Sequence, residues 1–264
     1  MEKRLLSAST GERIFAEGPQ PQGSGNEKVG VLLLDKPPGP SSFYMVRQIR
    51  RIFGVKKVGH AGTLDPFASG LLIVCIGRPA TRKISLLMAT DKEYEATLRL
   101  GIETSTQDPE GEVIAERPVP QLARETVERC LAGFVGEILQ EPPRFSALKH
   151  AGRPLYFYAR KGIEVKKEPR PVTIHRLELL ELTGSQLRIR VHCGKGTYIR
   201  TLAADIGQAL GCGAHLVALR RTRCGPFLLR DAYDGHLLPR AEAEELANHV
   251  RPIDDMVRML EEGD

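Results

Sequence analysis

Val172-Thr173-Ile174-His175-Arg176-Leu177-Glu178-Leu179-Leu180-Glu181-Leu182, then Thr183-Gly184-Ser185, then Gln186-Leu187-Arg188-Ile189-Arg190-Val191-His192, is the stretch that decides the architecture. Two strand-like runs parted by a short polar turn with a central glycine predict a hairpin, and a hairpin pairs its strands antiparallel. Upstream, Tyr94-Glu95-Ala96-Thr97-Leu98-Arg99-Leu100 alternates as a half-exposed strand does. Val31-Leu32-Leu33-Leu34 and the run 71–76 are continuously apolar, as short buried strands are. Between those two, Val46, Ile49, Ile52 and Phe53 recur at helical spacing, with Ser41 or Ser42 to cap the helix and Gly54 to end it. Further helices are expected over 81–88, 122–134, 155–161, 197–210 and 241–251, and a strand over 216–221. Residues 59–70 and 101–111 read as loops, and Pro142-Pro143 as a break. Strands and helices mix without strict alternation and no internal repeat is visible. The prediction is an α+β fold with a mixed, largely antiparallel sheet flanked by helices, not a doubly wound parallel sheet.

The chain has 264 residues, enough for one large domain or two modest ones. Its apolar fraction of 41% and charged fraction of 27% are those of a globular protein, which argues against disorder of the whole chain. No apolar run approaches the roughly 20 residues that span a bilayer. The start, Met-Glu-Lys-Arg-Leu-Leu, turns polar at once and predicts no secretory signal. Residues 1–28, with Gly18-Pro19-Gln20-Pro21-Gln22-Gly23-Ser24-Gly25, have linker composition and are expected to form a flexible N-terminal extension. The five cysteines, Cys75, Cys130, Cys193, Cys212 and Cys224, are odd in number and scattered, so they read as reduced residues of a cytoplasmic protein. Cys212 and His215 have a ligand-like spacing, but no second pair completes a metal set. His150, His175, His192, His236 and His249 show no ligand-like pairing and read as structural or surface histidines. A net charge of +5 is compatible with a nucleic-acid partner.

Three segments could carry chemistry. In Gly59-His60-Ala61-Gly62-Thr63-Leu64-Asp65-Pro66-Phe67-Ala68-Ser69-Gly70, glycines bare the backbone around a histidine and an aspartate. Asp65 is then either a nucleophile or base on a tight loop, or the carboxylate of an Asp-Pro turn that caps local N–H groups. Gly194-Lys195-Gly196-Thr197-Tyr198-Ile199-Arg200-Thr201 opens a helix but lacks the spacing of a nucleotide phosphate loop, which leaves an anion or RNA-phosphate site or plain packing. Arg47, Arg50 and Arg51 share a helix face, with Lys56 and Lys57 beyond, and Arg220, Arg221 and Arg223 form a second cluster. Each is a phosphate-neutralising patch or a solvated face. No Gly-x-Ser-x-Gly, His-Glu-x-x-His or Gly-x-Gly-x-x-Gly motif is present, which weakens hydrolase, zinc-protease and dinucleotide readings.

The Asp65 loop closely resembles the signature of the TruB family, the bacterial tRNA pseudouridine-55 synthases. The resemblance continues in order along the chain. It takes in Leu34-Asp35-Lys36-Pro37 with Gly39 and Ser41-Ser42, and Pro142-Pro143-Arg144-Phe145-Ser146-Ala147-Leu148-Lys149 with Gly152, Tyr156 and Ala159-Arg160. Lys195 to Thr201 and Gly211-Cys212-Gly213-Ala214-His215-Leu216 to Leu219-Arg220-Arg221 complete it, so it covers about 29–223. It implies a pseudouridine synthase fold and isomerisation of the T-loop uridine at tRNA position 55, with base flipping, an accessory tRNA-folding activity and neither metal nor organic cofactor. It implies that Asp65 is the catalytic aspartate, that Arg200 pairs with it and that Tyr94 stacks on the target base. His60 would enter the space left by the flipped nucleotide, Tyr198 and Leu219 would line the pocket, Lys36 would be structural at the substrate site and Arg220 would contact RNA. Two departures stand out: Phe145 where the family often has Tyr, and Thr104-Ser105-Thr106 in place of a usual Thr-Asp-Thr. The implied layout is a catalytic domain over 29–225 and a short C-terminal segment over 226–264, shorter than the roughly 50 residues of a small domain and so without a complete RNA-binding domain of PUA type. The partner implied is the T-stem loop of tRNA, with no membrane and no obligatory protein partner, the enzyme working alone as a monomer. The residues also leave room for a non-catalytic RNA-folding protein and, less well for want of a second carboxylate, a glycosidic hydrolase.

Overall fold

A computed structural model describes residues 29–146 and 148–262; the extension expected over 1–28 lies outside them. The first half of the chain runs β1 (Gly30–Lys36), α1 (Ser42–Phe53), β2 (Val58–Ala61), β3 (Ser69–Ile76), α2 (Gly77–Thr81), α3 (Ile84–Met88), β4 (Lys92–Leu100), β5 (Ile102–Thr104), β6 (Val113–Glu116) and α4 (Arg124–Ala132). It continues through β7 (Gly136–Gln140), β8 (Lys149–His150), β9 (Arg153–Pro154), α5 (Leu155–Ala159), β10 (Arg170–Thr183), β11 (Gln186–Cys193) and α6 (Ile199–Ala209). Last come β12 (Ala214–Cys224), β13 (Phe227–Leu228), β14 (Tyr233–Asp234), α7 (Ala243–Ala247), β15 (Val250–Arg251) and α8 (Ile253–Glu262).

The expected hairpin is present: β10 and β11 pair antiparallel and close at Thr183 opposite Gln186. Among the described residues they belong to an 11-stranded sheet ordered β14-β1-β3-β12-β4-β11-β10-β7, with β2 and β15 added at β3 and β1 and β13 at β12. Pairing is antiparallel except between β12 and β3 and between β1 and β14. The sheet is therefore mixed and largely antiparallel, as expected. The two apolar runs have opposite faces in two cores. Leu32, Leu34, Leu72, Val74 and Ile76 enter one core, and Val31, Leu33, Leu71, Ile73 and Cys75 enter the other. A strand covered on both faces has no polar side to show, hence its unbroken hydrophobicity. β4 has one covered face and alternates buried with half-buried residues throughout.

Local signals set α1. The Ser41 hydroxyl accepts from the Tyr44 N–H, Gly54 ends the helix in the left-handed region at φ +66°, and Arg50 and Arg51 lie in the last turn, where the helix dipole favours cations. Other boundaries differ from the sequence reading. The region 59–70 is not all loop, because Gly59, His60 and Ala61 pair with Cys75, Val74 and Ile73. The single helix expected over 81–88 is two short ones, α2 and α3. Within 101–111, β5 pairs with β6. The helix expected over 241–251 shortens to α7, because Val250 and Arg251 leave it to pair with Leu32 and Val31. The C-terminal residues are built onto the main sheet: β14 and β15 both flank β1, and α8 inserts Ile253, Met256 and Leu260 into the second core.

One buried serine ties α1 to the loop that follows β2. The Ser42 hydroxyl donates to the Leu64 carbonyl at 2.8 Å and accepts from the Leu64 N–H at 2.9 Å. Ser42→Ala leaves both backbone groups buried without partners, and the expected cost is about 1–3 kcal/mol. Urea unfolding measures it directly. An unchanged midpoint would mean that the loop finds other partners.

Candidate active site

The loop between β2 and β3 presents Asp65. Its main chain is held at several points besides Leu64: the Gly39 N–H donates to the Pro66 carbonyl at 2.8 Å, Lys36 Nζ donates to the same carbonyl at 3.1 Å, and the Ala68 N–H closes a turn on the Asp65 carbonyl at 3.1 Å. Gly62 takes φ +86°, which a residue with a side chain adopts only with strain.

Arg200 reaches this loop from the first turn of α6. Its Nε lies 2.9 Å from Asp65 Oδ2 and its Nη2 3.4 Å from Oδ1, so the guanidinium meets the carboxylate along one edge. The rest of the fork is also occupied. Nη1 faces Asp108 Oδ2 at 3.3 Å and the Thr106 carbonyl at 3.2 Å, and Nη2 donates to the Phe145 carbonyl at 2.7 Å. Arg200 is 5% exposed and Asp108 4%, whereas the Asp65 side chain keeps 33% of its surface open to solvent. An arginine at a helix start opposes the helix dipole, so its place is explained by the two carboxylates and not by helix stability.

The electrostatics follow from this packing. Burial pushes the Asp65 carboxyl above its ordinary range; Arg200 pulls it back, and the Asp108 charge adds to the rise. Burial and the charges of Asp108 and Asp65 raise Glu110. Lys36 is fully buried, and burial pushes its ammonium down to about 8 against the pull of Asp65 and Glu110. It donates to the Pro37 carbonyl as well as to Pro66, so it braces the loop from beneath. His60, on β2, is held below its usual range by burial and by Arg221; its Nδ1 is buried without a partner. Tyr94 is buried on β4 opposite Arg221 and Val191, and burial pushes its phenol up to about 12. At neutral pH both rings are uncharged.

The remaining residues singled out in the sequence are distributed around this centre. Tyr198 caps α6, and the buried Gln140 at the end of β7 grips its main chain twice, accepting from the N–H at 2.7 Å and donating to the carbonyl at 3.1 Å. Leu219 is buried on β12, its carbonyl 3.4 Å from Ser69 Oγ. Arg220 pairs with Asp35 at 2.6 Å and remains partly exposed. Asp108 and Gln140 were not read from the sequence. Asp108 follows the departing Thr104-Ser105-Thr106 segment and supplies a carboxylate to Arg200 from there.

Two sequence readings change. Arg221 does not belong with Arg220 and Arg223 in a surface cluster, since it is 1% exposed. His175 and His192 do pair: their rings lie 4.8 Å apart on adjacent strands, with Asp91 Oδ2 3.0 Å from His175 Nε2. Cross-strand neighbours are invisible to spacing along the chain. Arg223 Nη2 occupies His192 Nε2 at 2.8 Å, placing a cation where a metal would need that lone pair. The five cysteines are all free. Arg47, Arg51, Lys56 and Lys57 are exposed, as are Phe43 and Tyr44 in the first turn of α1, and the Arg47 guanidinium lies 5.7 Å from the Tyr44 ring centroid. Among the described residues, no helix is long and apolar enough to cross a membrane.

Comparison with known proteins gives the same centre a lineage. Residues 50–199 match the family model of the TruB family pseudouridylate synthase N-terminal domain, and 200–258 that of the tRNA pseudouridylate synthase B C-terminal domain. The tRNA pseudouridine synthase B of Desulfotalea psychrophila is 56% identical over 238 residues, covering 88% of this chain and 97% of the relative. That of Aromatoleum aromaticum is 52% identical, covering 88% and 74%. Among solved structures, a Cbf5-Nop10-Gar1 complex superposes with a TM-score of 0.67 at 33% identity, covering 87% of this chain. An H/ACA RNP bound to a substrate RNA containing 2′-deoxyuridine gives 0.65 at 30%, covering 88%. The chain spans 62% of each of those two solved chains. One family model takes in the Asp65 loop and the other begins at Arg200, so the ion pair joins the two matched regions, and the chain belongs to the TruB family of pseudouridylate synthases.

Proposed function

We propose that this protein isomerises the uridine at position 55, in the T loop of tRNA, to pseudouridine, with Asp65 as its catalytic carboxylate. The observation that carries this reading is the Asp65–Arg200 pair at 2.9 Å in a member of this family. The reaction breaks the bond from uracil N1 to ribose C1′, turns the base and joins C5 to C1′. C5 gives up its proton and N1 ends with one, so nothing is oxidised and no cofactor is required. Whether the carboxylate attacks C1′, adds to the base or removes a proton from C2′, it must be ionised. Arg200 favours that form against the burial that opposes it.

The other residues take supporting roles. A uridine drawn out of the T loop leaves a gap at a cost of a few kcal/mol, which His60 offsets by entering it as a neutral ring. Tyr94, uncharged at neutral pH, offers its face to the flipped base, worth about 1–3 kcal/mol. Tyr198 and Leu219 line the pocket, Lys36 holds the loop, and Arg220 contacts RNA while neutralising Asp35. The basic helix face with Phe43 and Tyr44 follows the tRNA backbone. Residues 29–225 form the catalytic domain and 226–264 a short C-terminal segment. The protein works in the cytoplasm as a monomer without an obligatory protein partner, and it assists tRNA folding when it opens the T loop.

The test uses a tRNA transcript tritiated at uridine C5. Release of label to water from one T-loop position, absent with Asp65→Ala, is the expected result, because C5 loses its hydrogen only on becoming the glycosidic carbon. No release with tRNA still bound would leave only the RNA-folding activity, and free uracil would mean glycosidic hydrolysis. Binding should also weaken steeply with salt, log K falling linearly with log salt by up to about 0.9 per duplex phosphate neutralised. Arg47→Glu with Arg51→Glu should flatten that slope. An unchanged slope would remove this face from the interface.

A further inference from the structure

Arg221 is among the largest fully buried side chains of the protein and, among the described residues, none of the ion pairs includes it. A guanidinium without a carboxylate in the interior carries a large desolvation penalty, and an apolar side chain of similar volume would serve packing alone at least as well. What the cation does is visible in its contacts. Nε donates to the Leu71 carbonyl at 2.7 Å, and Nη2 donates to the Gly62 carbonyl at 2.9 Å. Gly62 opens the loop that carries Asp65, and Leu71 lies in β3 just beyond the other end of that loop. The Arg221 main chain adds a third point: it is in register with Gly70, where a Cβ would lie 2.3 Å from the Arg221 carbonyl oxygen. On its other side, Arg221 stands opposite Tyr94 in the β12–β4 pairing, and its charge pulls the Tyr94 phenol down against the burial that raises it.

We infer that Arg221 is a positioning residue for the isomerisation: its fork ties Gly62 and Leu71, on either side of the Asp65 loop, to β12, the strand paired with the one that carries Tyr94, and so fixes the spacing between the carboxylate and the ring on which the base stacks. This rests on the reading of Asp65 as the catalytic group. Arginine suits the task because its planar fork presents separate nitrogens to two carbonyls, Nε to Leu71 and Nη2 to Gly62, whereas a lysine would have to reach both from one nitrogen on a flexible stem. The arrangement acts through Asp65 and Tyr94, so Arg221 itself does not touch the substrate. Its loss should alter reaction geometry and leave tRNA affinity nearly intact.

The test compares wild type, Arg221→Lys, Arg221→Gln and Asp65→Ala in thermal melts, tRNA binding and tritium release at single and multiple turnover. Expected for Arg221→Lys is a folded protein with tRNA affinity and KM within about threefold of wild type. Its single-turnover rate and kcat should fall by about ten- to a hundredfold, the scale of a displacement on the order of 1 Å at a reacting centre. Arg221→Gln should be slower still. Combined with Tyr94→Phe, Arg221→Lys should show less than the product of the two separate losses, because both act on one spacing. Wild-type kcat in a folded Arg221→Lys protein overturns the inference while leaving the Asp65 reading intact. A loss confined to KM, or failure of both Arg221 variants to fold, assigns the residue to binding or to the fold and overturns it as well. No release by wild type, or release by Asp65→Ala, overturns the Asp65 reading and this inference with it.

Discussion

Asp65→Asn abolishes tritium release from C5-labelled tRNA while binding of the tRNA persists. The change keeps size and shape but removes the charge that every route through Asp65 requires, and losses of about 10⁴-fold or more are usual when the group doing covalent or proton-transfer chemistry is taken away. The same variant carries a stability signature. Asp65 titrates higher in the folded protein than in the unfolded chain, because burial outweighs Arg200. A carboxyl with a raised folded pKa reduces stability as pH rises through the interval between the two values, and the loss is fully present above it. Asn has no such term. The stability of Asp65→Asn relative to wild type should therefore be greater at pH 7.5 than at pH 4, read from paired urea melts. A gap that shrinks toward neutrality would mean that Arg200 outweighs burial and that the carboxylate is not held in an unfavourable environment.

Arg200→Lys lowers the single-turnover rate by about 10²–10³-fold, the cost of losing one preorganised donor at a reacting centre, and it moves the acid limb of the pH–rate profile upward. The guanidinium meets Asp65 with two of its nitrogens while holding Asp108, the Thr106 carbonyl and the Phe145 carbonyl. A lysine cannot reproduce that set from one nitrogen. With the fork gone, burial and the Asp108 charge act on Asp65 with less opposition, and a larger fraction is protonated at any given pH. A limb that stays in place would separate Arg200 from the ionisation of Asp65 and reduce it to a packing residue. Asp108→Asn supplies the sign control: removing that negative charge favours the ionised Asp65, so the limb should move down if Arg200 stays seated.

The parts legible in the sequence are those whose causes are local. The hairpin 170–193 has its turn chemistry and its strand pattern in one stretch, and α1 carries its own cap and stop. The short strands β5, β14 and β15 were not legible because they exist through pairing with distant partners: Val250 leaves its helix for Leu32, a contact no local preference encodes. The same division applies to the site. The Asp65 loop by itself was as consistent with a capped turn as with a nucleophile, and what separates the two is Arg200, 135 residues away. Family motifs brought those two residues together on paper. They did not reveal Asp108 or Gln140, nor that Arg220 and Arg221, adjacent in sequence, point to opposite environments, one paired with Asp35 at the surface and one buried under the loop. Alternation along a strand decides that difference, and it can be read only once the strand's neighbours are known.

The place of β12 between β3 and β4 has a consequence for how the protein is made. Its neighbours are synthesised long before it: more than a hundred residues separate Leu100 from Ala214, a delay on the order of ten seconds at ordinary translation speed. Until β12 emerges, β3 and β4 wait with facing edges unsatisfied, and such edges recruit other chains. The nascent polypeptide therefore spends its most aggregation-exposed interval on the ribosome, and a message truncated before codon 214 yields a product with no sheet centre. Completion of β12 closes these two edges and seats Arg221 under the Asp65 loop in one event.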